Sequence, residues 1–304
     1  MTRPDITKEA MSRKLLPSQR TCVLVGGPAL PKAEALFATD EVLLEAPNWS
    51  LDGTALFLNG DGMLWRLAVD RPERGVQPVP FTGLPPINND HVLDPDGAHV
   101  FLSANDGHIY RGSLDGGNVT RITPEDGCWH YLHGVSPDGA QLAYVEIDGK
   151  GHSGRLMVLP SHGGVAVLLP AGPGHHDGPE WSPDGQWILY NSEAFTAVAG
   201  PAQIARMPAG GGAPERLTTS ETVDWFPHLS PDGRWGSYLS FPPGTRGHPA
   251  DLDVSVKVVS ADDWNAPVQR YALEGGQGTL NVNGWAPDSR RFALVSYPLT
   301  LPAR

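Results

Sequence analysis

Imidazoles and carboxylates that could move protons or hold a metal recur at matching places along this chain. His91, His133 and His228 stand just ahead of three copies of a recurring turn, with Asp90, Asp177 and Asp224 at comparable offsets. Three neutral imidazoles drawn together would suit one divalent ion, Mn, Zn, Fe or Ni, with Gln277 or a carboxylate completing the shell. The same imidazoles beside a carboxylate would also serve as general acid and base. His91, His133, Asp177 and His228 are therefore the candidate catalytic residues, and His91, His133 and His228 the candidate metal ligands. Glu45, Asn89, Asp90, Tyr131, Asp224, Trp225, His248, Gln277 and Asn281 form the candidate binding set. Amides, carboxylates and aromatic faces are what a polyhydroxylated ligand needs. Gly-x-Ser-x-Gly elbow, phosphate loop and dinucleotide fingerprint are all missing, so no nucleotide cofactor is expected. A plainer reading stands beside these: His and Asp at repeat junctions can bond neighbouring backbone and hold the repeats in register. Trp49, Trp181 and Trp285 share one repeat position and read as core.

Six copies of one turn must position these residues. Asp52, Asp96, Asp138, Asp184, Asp232 and Asp288 each sit in a version of Ser-Pro-Asp-Gly, at steps of 44, 42, 46, 48 and 56 residues. Pro presets φ, Asp tolerates the next position, and Gly takes the left-handed conformation that follows. Apolar, partly alternating runs follow each turn, such as Ala55-Leu-Phe-Leu58 and Trp187-Ile-Leu-Tyr190, and read as strands. A repeat of this length in an all-β chain is one propeller blade. The loop before each innermost strand should open on one face, and seven of the 11 histidines fall there: His91, His130, His133, His175, His176, His228 and His248. The loop between the second and third strands of blade five should bring Arg246, His248, Asp251 and Asp253 to the same face. His99, His108, His152 and His162 fall elsewhere.

Thr21-Cys-Val-Leu-Val25 and Ala33-Glu-Ala-Leu-Phe37 precede the first turn, while the last repeat is short of strands at the C-terminus. Pairing the two ends hides both sheet edges. The expectation is an all-β, six-bladed β-propeller closed by N- and C-terminal strands sharing the last blade. Residues 1–19 are polar and unpatterned, expected as a flexible lead-in, and 20–304 as a single domain.

The 36 Gly and 30 Pro fall at turns. The formal net charge of −12 argues against nucleic acid or an anionic membrane as partner. Two cysteines, Cys22 and Cys128, fit no metal spacing. The N-terminus has no apolar secretory core and no run reaches a membrane span. A cytoplasmic location is expected.

The turns resemble the WD40-like repeats of TolB-type propellers over Thr21 to Tyr297, and the chain is similar to single-domain bacterial members of that family. The resemblance rests on Glu45-Ala-Pro-Asn-Trp49, Asn88-Asn-Asp-His91, His133-Gly134, Asp177-Gly-Pro179, Asp224-Trp-Phe-Pro-His228, His248-Pro-Ala-Asp-Leu-Asp-Val254 and Gly275-Gly-Gln-Gly-Thr279 with Asn281. Leu51, Asp94 and Ala286 depart from the turn pattern. The resemblance implies the six-bladed fold and leaves protein capture open. Oligogalacturonate lyases are similar in repeat type and use a His-rich, manganese-bearing mouth to cleave acidic sugars by β-elimination. That likeness implies a carbohydrate-active lyase or eliminase on an acidic or oxidised sugar. The alternative is a non-catalytic propeller binding a protein segment or small ligand.

Overall fold

The computed structural model describes residues 13–150, 153–196 and 200–299, so His152 and Met1–Ser12 of the lead-in lie outside the described residues. Each recurring turn folds on its own chemistry. In blade three the Ser136 hydroxyl donates to Asp138 at 2.6 Å and accepts the Gln141 N–H at 2.9 Å, while Asp138 accepts the Ala140 N–H. Gly139 then reverses the chain at φ +71°. The turn aspartates are thus structural, and they lie at the opposite end of the innermost strands from the mouth.

Blades one, three, four and five are four-stranded antiparallel sheets in sequence order, beginning with Glu45–Trp49, Cys128–Val135, His176–Trp181 and Val223–Leu229. Blade two begins with Ile87–Leu93 and carries Thr120–Arg121 at its outer edge. Blade six joins the chain ends: Phe292–Ser296 pairs antiparallel with Thr21–Gly26, which pairs with Glu34–Thr39. An isolated bridge, Trp285 to Phe292, attaches its innermost segment. The closure is the expected one. Among the described residues, only the 3₁₀ turn Pro72–Arg74 is helical.

Apolar residues from adjacent blades meet in six clusters, one per blade interface. Phe57 and Leu102 meet between blades one and two, and Leu189 and Tyr238 between four and five. Trp49, Trp181 and Trp285 sit in three of these clusters, as core. In one respect the sequence expectation is corrected. Most of the reactive residues, Glu45, Asn88 to His91, Trp129 to His133, His176, Asp177 and Asp224 to His228, lie within the innermost strands rather than in loops ahead of them, whereas His175, His248, Gln277 and Asn281 do lie outside strands. Each of those strands in blades one to five breaks register by a bulge, for example between Asp177 and Glu180 and between Trp225 and His228. A bulge re-aims the side chains beside it.

Candidate functional site

Counting back four residues from Trp49, Leu93, Val135, Trp181, Leu229 and Trp285 gives Glu45, Asn89, Tyr131, Asp177, Trp225 and Asn281. One repeat position therefore supplies one mouth residue from every blade. Five of them, all but Glu45, line a cavity of about 600 Å³ together with Asp90, His133, His175, Phe226, Arg246, His248 and Gln277. The blade-five insertion carries Arg246 and His248 over it. The His248 ring packs on Trp225 at 4.6 Å and edge-on to Phe226 at 5.1 Å between centroids. Trp129 and Tyr131 stack on the far wall.

Asp177 is the electrostatic centre. His133 Nε2 lies 2.9 Å from Asp177 Oδ1, His175 Nε2 3.4 Å and His248 Nε2 3.9 Å from Oδ2, and Asp90 approaches His133 at 4.0 Å. Burial opposes charge on His133, but Asp90 and Asp177 outweigh it and raise its pKa to about 9. Burial likewise opposes charge on Asp177, yet bonds from His133 and His175 hold its carboxyl well below the usual range. Burial pushes Asp90 up to about 6, tempered by His133. Burial brings His248 down to about 4. The cavity therefore holds an imidazolium, a firmly ionised carboxylate, and a carboxyl that titrates near neutrality. Groups driven apart in this way are suited to proton transfer.

Several buried polar atoms around the cavity have no hydrogen-bond partner in the protein: His248 Nδ1, Asn89 Nδ2 and Trp225 Nε1. Buried polar groups normally find partners, so these residues around the cavity keep unused hydrogen-bonding capacity.

The three histidines expected to share a metal do not come together. His91 Nε2 faces the Phe57 carbonyl of blade one at 3.3 Å. His228 Nε2 faces the Leu280 carbonyl at 2.9 Å and its Nδ1 faces Glu180 at 2.5 Å. A ring nitrogen against a carbonyl must donate, so neither offers that lone pair to an ion. His228 stands one residue before Leu229, whereas His91 and His133 stand two before Leu93 and Val135, and the bulges turn it elsewhere. Neither His91 nor His228 lines the cavity. His175 fits an ion no better, because its Nδ1 accepts the Gly154 N–H at 2.9 Å and its Nε2 must then carry the proton. A metal-bound imidazole instead donates its second N–H. The mouth does not fit the expected divalent ion. By spacing alone, one group among the described residues could hold one, Asp126, Cys128 and Glu146. There His130 already contacts Asp126 and Arg155 pairs with Glu146.

Other expected residues divide in the same way. Asp224 is withdrawn from the mouth: it accepts hydrogen bonds from Ser220, Thr222 and Ser240 and faces Lys257 at 3.7 Å. Glu45 lines a smaller cavity of about 210 Å³ that shares Asn88, Asn89, Asn105 and Gln277 with the larger one. His130 and His176 bond the Gly107 and Gly172 carbonyls, so the register-holding role accounts for four of the seven histidines, with His91 and His228. Asp253 lines neither cavity, whereas Asp251 holds Arg13. His175 and Phe226 belong to the site without having been singled out as catalytic or binding residues. Their adjacency to Asp177 and Trp225 was the available signal. Arg13 gave none.

No protein-family model matches the chain. An uncharacterised protein of Agrobacterium fabrum is 38% identical over 291 residues, covering 92% of this chain and 93% of its own length. A solved protein of Agrobacterium tumefaciens, provisionally named TolB, superposes with a TM-score of 0.83 at 35% identity, over 94% of this chain and all of the other. TolB of Acinetobacter baumannii superposes at 0.59 with 18% identity, over 86% of this chain and 65% of its own, which is a likeness of fold. A TolB homologue of Chlorobium chlorochromatii matches 46% of this chain at 29% identity, so the match spans less than a third (30%) of that relative. With the closed six-bladed ring and this matching of whole chains, the protein belongs to the TolB-like propeller family.

Proposed function

We propose that the mouth is the active site of a carbohydrate-active eliminase that takes an oxygen-rich, acidic sugar. The observation that carries this reading is His133. It lies on the cavity wall with its Nε2 held by Asp177 and approached by Asp90. As an imidazolium, His133 is the cation that a ligand oxygen on this wall would meet, and Asn89 Nδ2 and Trp225 Nε1 are donors without a partner in the protein. A wall of donors lacking acceptors selects a ligand rich in oxygen, and the Arg246 guanidinium at the rim suits a carboxylate.

In this reading His133 donates to a carboxyl oxygen of the sugar and offsets the charge that builds there as the neighbouring C–H is broken. Asp90, near neutrality in its titration, takes that proton. The electron pair forms the new C=C bond, the C–O bond to the leaving group breaks, and the Tyr131 phenol, still protonated at neutral pH, supplies the departing oxygen with a proton. Asp177 and His175 position His133 and touch no reacting atom. No metal takes part. A cytoplasmic location belongs to the same proposal; no helix among the described residues is long and apolar enough to cross a membrane.

Thermal-shift screening of uronates and oxidised sugars, followed by ultraviolet detection of the unsaturated product, tests the reading. A stabilising sugar acid that is turned over by wild type, with turnover reduced at least about a hundredfold in His133→Gln, is the expected result. A panel in which no sugar acid binds removes it. Binding without turnover would favour the second reading, non-catalytic capture of a small ligand or protein segment, to which the Trp129–Tyr131 and Trp225–Phe226 walls are also suited.

A further inference from the structure

Beside the sugar-sized cavity the chain has inserted one of its own side chains into the mouth. The Arg13 guanidinium donates to the Gln277 carbonyl at 2.9 Å, pairs with Glu45 at 3.3 Å and Asp251 at 2.6 Å, and lies over the Tyr297 ring at 4.2 Å. The receptacle is shaped for a flat fork. Two carboxylates and a carbonyl meet its edges, and an aromatic face meets its plane. Gly278, at φ +88°, closes it, because any Cβ there would collide with the Tyr297 hydroxyl and with Glu45. Asp251 reaches in from the left-handed region at φ +58°, which Asp tolerates.

Two further observations point to a ligand. Arg13 is the wall of the smaller cavity, and three buried polar atoms beside that space have no partner: Arg13 Nε, Asn59 Oδ1 and Asn89 Nδ2. The segment that delivers Arg13 is short and is anchored by Leu15 against the core and by buried Gln19, which bridges to Leu299. Leu16 is half exposed and Ser18 bends the chain at φ +67°. Polar ties to the ring include those of Gln19, which donates to Asp251 and the Tyr297 carbonyl, and of the Arg20 N–H, which donates to the Pro298 carbonyl.

We propose that this receptacle is a guanidinium-binding subsite of the mouth, filled in the resting chain by Arg13, and that an arginine-bearing ligand competes with Arg13 for it. Glu45 is almost fully buried, so once Arg13 leaves it must regain a cation or become neutral. An incoming arginine restores every contact, and its remaining atoms meet the two unpartnered amide atoms that stay behind, Asn59 Oδ1 and Asn89 Nδ2. A lysine restores the charge but neither the fork nor the stacking. The proposal shares Asn89 with the sugar reading but does not rest on the chemistry at His133.

The test uses the full chain carrying Arg13→Ala, titrated with argininamide and, as control, lysinamide, and read by thermal unfolding. The expected result is a saturable rise in Tm of Arg13→Ala with argininamide alone, a negligible rise in wild type, and loss of the rise when Glu45→Gln is added. Equal rises in wild type and variant, a rise that survives Glu45→Gln, or no rise at all overturns the proposal. Should Arg13→Ala not fold unaided, Arg13→Lys takes its place, and refolding of Arg13→Ala in argininamide becomes the readout. Recovery supports the subsite; failure of both overturns it.

Discussion

At the scale of single residues, the mouth is governed by which nitrogen of each histidine is already committed. His91, His130, His176 and His228 spend a ring nitrogen on a backbone carbonyl, while His133, His175 and His248 gather on Asp177. A pH dependence follows. The pKa of His133 is raised from 6.5 to about 9, so its protonated form is favoured by folding. That contribution is complete below pH 6.5 and is lost as pH rises through about 9, an amount on the order of 3 kcal/mol at most. Asp177 runs the other way: depressed in the folded chain, its contribution is present above the ordinary carboxyl range and is lost on acidification. Denaturant unfolding between pH 7 and 10 should show stability falling in wild type and a much flatter profile in His133→Gln. An equally steep fall in the variant would contradict the assignment. The residue types of this site were legible in the sequence, since reactive side chains at matching repeat positions are visible without coordinates. Their pointing was not, because His228 stands one residue out of step with His133 and only the backbone geometry decides where each ring is aimed.

At the scale of elements, the innermost strands do two jobs with one irregularity. Without a bulge, alternate residues would point strictly into and out of each blade. Extra residues at 177–180 and 225–228 swing Asp177 and Trp225 to the mouth and leave Glu180 and His228 facing each other across blades four and five. Left-handed backbone at Ala46, Gly178 and Phe226 marks the same bulge in three blades. Gly178→Ala should therefore be costly: the residue sits at φ +61°, and a Cβ would come within 3.2 Å of Asn191 Oδ1 and Phe226 Cδ1. Strain of this kind is worth about 1–2 kcal/mol, read as a lower Tm, and sugar-acid binding should weaken with it because Asp177 is the neighbouring residue. An unchanged Tm would mean that the bulge is not constrained there. Hairpin turns and strands were legible because Pro, Asp and Gly write their conformations locally. Bulges were not, since each is fixed by the register of its partner strand and by the next blade.

At the scale of the whole molecule, the ring is only as secure as its seam. Phe292–Ser296 is drawn against Thr21–Gly26 from the other end of the chain, and the seam's apolar side chains feed the clusters on both sides of blade six. That closure could be inferred beforehand because a propeller cannot leave two sheet edges bare and the strand count at each terminus was complementary. The seam also supports the mouth. Tyr297, immediately after the last strand, lies beneath Arg13 and donates its hydroxyl to the Leu44 carbonyl, so blade six, blade one and the N-terminal segment meet at one ring. Leu294 is fully buried among residues of blades five and six. Leu294→Ala should cost about 2–5 kcal/mol. If the closed ring unfolds as one unit, tryptophan fluorescence and far-ultraviolet circular dichroism should shift together in denaturant, with midpoints that coincide in the variant as in wild type. Midpoints that separate in Leu294→Ala would mean that blade six opens first, and because the receptacle needs the Tyr297 ring and the Gln277 carbonyl, argininamide binding by Arg13→Ala in that background should then be lost at denaturant concentrations where the other blades are still folded.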